Sequence, residues 1–126
     1  MKFIDQLKEK AKQNKKTIVL PETSDMRTIE AAGKVLAEGI ANIILVGDKE
    51  DIMSRAGDID LSGASFVDPK NYEKFDEYVD AFVEMRRKKG MTEARAKELL
   101  LTNPLYFGCM MVKQDDADGM VAGAIN

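Results

Sequence analysis

The sequence predicts an α/β fold, a three-layer sandwich on a mainly parallel sheet. Two observations carry this. Short, continuously apolar strand patterns recur along the chain, whereas a strand buried on one face only would alternate. Stretches with helical spacing separate those patterns, as expected for helices covering both faces of a parallel sheet through right-handed crossovers.

The elements follow in order. Phe3 to Gln13 place Ile4, Leu7 and Ala11 on one helical face. Thr17-Ile18-Val19-Leu20 is a β-branched run stopped by Pro21, a buried strand. Ser24 or Asp25 caps a helix whose apolar positions Ile29, Ala32, Val35 and Leu36 recur at helical spacing until Gly39 ends it. Ile43 to Val46 is a second buried strand, ended by Gly47-Asp48, and a short helix from Lys49 to Arg55 follows. Ala64 to Val67 is a weaker third strand. A long helix from Tyr72 to Lys89, closed by Gly90, comes next. Thr92 caps a further helix to Leu101, and Asn103-Pro104 opens another that ends near Lys113. Gly119 to Ala122 is the final strand. Asn126 follows it directly, where an open α/β sheet would begin a functional loop, so the chain is expected to be truncated.

The totals restrict the function. The chain has 126 residues, one domain at most, with 44% hydrophobic and 33% charged residues. A net charge of -3 argues against a protein held to nucleic acid by phosphate contacts. No apolar run approaches the ~20 residues of a membrane span, and the polar start is not a signal peptide. A lone cysteine, Cys109, forbids an internal disulfide and suits a reducing cytoplasm; its apolar neighbours predict a buried, structural thiol. The sequence contains no histidine, which removes imidazole bases and His-ligated metals from the chemistry this chain can do. No other metal-ligand pattern stands out: Asp115, Asp116 and Asp118 read as a solvated loop and lack the later glutamate of a calcium loop.

Two places could carry binding chemistry. Pro21 to Arg27 joins a strand to a helix on the side where such sheets hold ligands. The helix start could attract an anion, or Ser24 and Asp25 could simply cap it, with Arg27 solvated. Arg86 lies four residues past Phe82 and eleven past Phe75, on the apolar stripe of the long helix at about 100° per residue. A guanidinium there must pair, snorkel to water or bind an anion. Arg87, Lys88 and Lys89 make the surroundings basic.

Several ordered blocks resemble phosphate acetyltransferases, of the phosphate acetyl/butyryltransferase family. They are Thr17 to Thr28, Gly39 to Gly47, Val67-Asp68-Pro69, Glu84 to Thr92 and Asp118 to Ala124, together spanning the whole chain. The resemblance implies a two-domain enzyme fold of which residues 1–126 are the N-terminal α/β domain, with the remainder absent. It implies reversible acetyl transfer between acetyl-CoA and inorganic phosphate, giving acetyl phosphate and CoA. It further implies a homodimer with an active-site cleft between domains, no tightly bound cofactor, and coenzyme A and acetyl-CoA as substrates. The family's catalytic aspartate, serine and arginine have no counterpart here, so no catalytic residue is assigned and the chain alone is expected to be inactive. One residue transfers: the arginine of the Glu-aliphatic-Arg-basic block, Arg86, which in the family helps hold CoA through its phosphates. A phosphate butyryltransferase and a non-catalytic α/β binding or regulatory domain are the alternative readings.

Overall fold

All strand pairs in the computed structural model, which describes residue 6 and residues 12–122, are parallel. The strands are β1 (Thr17–Leu20), β2 (Asn42–Val46), β3 (Ser65–Val67) and β4 (Gly119–Met120), in the order β3-β2-β1-β4. Thr17 pairs with Asn42, Ile44 with Ser65, and Ile18 with Gly119. The helices are α1 (Met26–Glu38), α2 (Lys49–Ala56), α3 (Phe75–Met85), α4 (Glu93–Thr102) and α5 (Pro104–Lys113).

The unbroken apolar runs of β1 and β2 have a simple cause: alternate side chains serve two cores. Val19, Ile44 and Val46 enter one cluster with Val79 and Phe82 of α3, Leu100 of α4 and Phe107 of α5. Leu20, Ile43 and Leu45 enter the other with Ile29 and Ala32 of α1 and Ile52 of α2. Helices therefore cover both faces, and the three-layer architecture follows directly. The chain passes β1-α1-β2-α2-β3 on one side of β1, then returns through α3, α4 and α5 to place β4 on the other side.

Capping follows the sequence closely. Asp25, Asp48, Thr92 and Asn103 each accept a backbone N–H of the helix they precede. Gly39, at φ 66°, closes α1 in the left-handed conformation that a side chain would disfavour.

Four expectations need correction or restriction. The helix expected over Tyr72 to Lys89 is only Phe75–Met85. Before it, Asp68 and Pro69 build a separate 3-10 turn, Pro69–Asn71, and Tyr72 is extended. After it, Arg86 leaves helical geometry at φ -111° and ψ 15°; its N–H is shared between the carbonyls of Phe82 and Val83. A 3-10 turn, Arg87–Lys89, and left-handed Gly90 then reverse the chain toward α4. Second, β4 stops at Met120 rather than Ala122, although the Val121 N–H still donates to the Val19 carbonyl at 3.1 Å. Third, Cys109 is exposed, because α5 turns Phe107, Gly108, Met110 and Met111 toward the sheet and leaves position 109 outside. Fourth, the leading helix over Phe3 to Gln13 falls almost entirely outside the described residues.

Candidate functional site

The carboxyl ends of β1, β2 and β3 open into a crevice of about 260 Å³, between the loops that follow these strands and the α4–α5 junction. Its walls are held tightly. The buried Thr23 hydroxyl donates to the Val46 carbonyl at 2.6 Å, tying the loop after β1 to the end of β2. Arg55 of α2 donates to the Thr23 carbonyl at 2.7 Å while its side chain pairs with Asp51. Gly47 sits at φ 139°, and a Cβ there would come within 3.1 Å of the Thr23 hydroxyl oxygen. Glycine is required by both backbone and contact.

Three loops of this crevice end in an aspartate whose carboxylate takes a backbone N–H two residues on. Asp25 accepts from Arg27 at 2.9 Å, Asp48 from Glu50 at 3.0 Å and Asp68 from Lys70 at 3.0 Å. The helix starts that could have drawn an external anion are thus already served by the protein's own carboxylates. Asp25 also takes the Arg27 guanidinium through two oxygens. Those hydrogen bonds hold the Asp25 carboxyl below its usual range and the Arg27 guanidinium above its own. In the Pro21 to Arg27 segment Asp25 thus caps α1, and Arg27 is paired with that cap.

Arg86 is placed differently. It is half-buried, and its guanidinium lies over the Phe82 ring, 5.8 Å from the centroid. The Phe82 ring is itself tilted against Tyr106, with centroids 5.5 Å apart. Among the described residues no carboxylate pairs with Arg86. Its neighbour Arg87 is taken by Glu84, one turn back, whereas Lys88 and Lys89 are exposed and have no such partner. Of the three options the stripe position leaves open, internal pairing is therefore not the one adopted. A planar guanidinium on an aromatic face, uncompensated and next to two lysines, is suited to a phosphate group. Arg86 is not among the residues lining the crevice.

A third cluster escaped sequence reasoning. Asp116, expected in a solvated loop, is largely buried and accepts from the Tyr78 hydroxyl at 2.5 Å and the Lys74 ammonium at 2.6 Å. Tyr72 adds a hydroxyl contact to Tyr78 at 3.2 Å, and its ring packs edge to face against Tyr78 and Phe107, which are tilted against each other. Burial raises the Asp116 carboxyl, but the hydrogen bonds from Lys74 and Tyr78 outweigh it, and the net shift is downward. Burial and the carboxylate acceptor push the Tyr78 hydroxyl far upward, and the same carboxylate raises Lys74. An ionised acid flanked by two protonated donors has no proton to exchange near neutrality, so this network fastens the start of β4 to α3. Asp118 completes the fastening by accepting the Thr17 N–H at 2.7 Å. The partners lie 38 and 42 positions apart in sequence, which no local pattern reveals.

Among the described residues no group of three or more acidic or cysteine side chains is arranged to hold a metal ion. Nor is any described helix long and apolar enough to cross a membrane.

Residues 2–126 match the family model described as "Phosphate acetyl/butaryl transferase". The chain is 49% identical over 126 residues to a phosphate acetyltransferase of Acetivibrio thermocellus and 50% identical over 126 residues to one of Thermoanaerobacterium thermosaccharolyticum. It is covered completely in both comparisons but spans only 38% of either relative's length. Among solved structures, it resembles the EutD phosphotransacetylase from Staphylococcus aureus with a TM-score of 0.82 and 36% identity, over 99% of this chain and 39% of that one.

Proposed function

The chain belongs to the phosphate acetyl/butyryl transferase family, and from that membership we propose that it is the N-terminal α/β part of a phosphate acetyltransferase. The complete enzyme moves an acetyl group reversibly between coenzyme A and inorganic phosphate. The observation that carries this reading is near-50% identity, along the entire chain, to two proteins named for that activity. Within this part, Arg86 contributes to binding: it offers an uncompensated guanidinium to the phosphates of coenzyme A, with Lys88 and Lys89 adding attraction. The bond-making groups belong to the rest of the enzyme, where the family's catalytic aspartate, serine and arginine lie. The chemistry to be supplied is thiolate attack on the acetyl carbonyl of acetyl phosphate, or phosphate attack on the thioester in reverse, with donors around the developing oxyanion. The complete enzyme works as a cytoplasmic homodimer and needs no bound cofactor.

The test is an acyl comparison. The chain, extended through the C-terminal part that its relatives carry, should release free thiol from acetyl-CoA in a phosphate-dependent manner, and should do so faster than from butyryl-CoA. Faster turnover of butyryl-CoA would assign the butyryl branch of the family instead.

A further inference from the structure

Arg86 is the cap residue between α3 and the 3-10 turn that follows it, an unfavourable place to keep a long side chain in one orientation. Its backbone is secured. The N–H is held by Phe82 and Val83, and the carbonyl accepts from Lys89 at 2.9 Å and Met91 at 3.2 Å. The guanidinium has no carboxylate to hold it among the described residues. What lies beneath it is the face of Phe82, one turn back on α3. Phe82 is only 3% exposed and belongs to the larger core, so it cannot move away from the guanidinium. Tyr106 of α5 supports that ring, with an interplanar angle of 32°.

We propose that Phe82, supported by Tyr106, is a positioning residue for Arg86: an aromatic seat that orients the guanidinium for a phosphate without neutralising its charge. This rests on the phosphate-binding role given above to Arg86. The physical advantage is specific. A carboxylate partner would orient the arginine equally well but would compete with the incoming anion. An aromatic face attracts the cation through its quadrupole and leaves the N–H edge free. Ordering the side chain beforehand reduces what binding must spend on immobilising it.

The experiment uses equilibrium titration of coenzyme A into the chain extended through the C-terminal part its relatives carry, and into three variants of it, with circular dichroism and a thermal melt on each. Arg86→Ala tests the underlying role, and should weaken binding about tenfold or more, the usual scale for a charge-assisted contact. Phe82→Leu keeps an apolar side chain in the core but removes the ring. It should weaken binding about threefold to tenfold, the range of a cation–π contact, with Arg86 still present. Phe82→Tyr restores a ring and should recover most of the lost affinity. Proton NMR adds a readout that packing alone would not move: ring-current shifts of the Arg86 side-chain protons should appear with Phe or Tyr at position 82 and vanish with Leu. If Arg86→Ala weakens binding while Phe82→Leu stays folded with unchanged affinity, the seat is overturned and the phosphate role survives. If Arg86→Ala leaves affinity unchanged, both fall.

Discussion

Arg86 and Asp116 are opposite charges drawn partly out of water, and the chain compensates only one of them. Asp116 receives an ammonium and a phenol; Arg86 receives an aromatic face. A compensated charge is a structural fastening; the one without a carboxylate among the described residues is the one for which phosphate binding is proposed. For Asp116 the consequence can be read against pH. Its folded pKa lies below the ordinary carboxylate value, so its contribution is complete above about pH 4 and is lost as pH falls further, through the depressed folded value. Lys74 acts on the other side: its raised pKa gives stability that is present below the ordinary lysine value and lost as pH rises beyond it. Asp116→Asn should lower stability at pH 7 by about 1–2 kcal/mol, since Lys74 is well exposed and its share is screened. It should also flatten the fall of the thermal midpoint as pH drops below about 4, measured by melts across the acid range. An unchanged acid slope would show that Asp116 is not one of the groups responsible.

At the scale of elements, the sequence was most legible where local chemistry decides. β1, β2 and the starts and ends of α1, α2, α4 and α5 follow from β-branched runs, aspartate, threonine and asparagine caps, and Gly39. It was least legible along Tyr72 to Lys89, where helical periodicity continues into residues that form separate turns on either side of α3. It also misled at Cys109, because an apolar neighbourhood in sequence does not say which residue of a half-buried helix faces outward. The methionines divide likewise: Met110 and Met111 fill the core, whereas Met26, Met53 and Met85 are exposed. Helix–loop contact decides one further case. In an exposed helix, replacing glycine by alanine gains about 1 kcal/mol. At Gly33 of α1 an added Cβ would stand 2.6 Å from the Cγ2 of Ile59, a branched side chain with little freedom to withdraw. Gly33→Ala should therefore destabilise the chain by roughly 1–3 kcal/mol in denaturant melts, against the helix propensity. A gain in stability would mean the 59–63 loop moves aside freely.

For the molecule as a whole, the architecture was legible because burial on both faces leaves its mark on every residue of the inner strands. The site was legible only in part. The helical stripe marked Arg86 as unusual, but three outcomes were open to a guanidinium there. The structure places the side chain over Phe82, and among the described residues no carboxylate pairs with it. Family resemblance, not spacing, supplied the phosphate and coenzyme A, and the comparisons bear out the family itself. The chain spans 38% of the length of the two phosphate acetyltransferases named above. The most direct measurement is phosphate-dependent release of free thiol from acetyl-CoA, followed on the 126-residue chain alone and on the chain extended through the C-terminal part its relatives carry. The account predicts no turnover by the first and clear turnover by the second. Turnover by the 126-residue chain alone would contradict it, because the catalytic groups would then have to lie within those 126 residues.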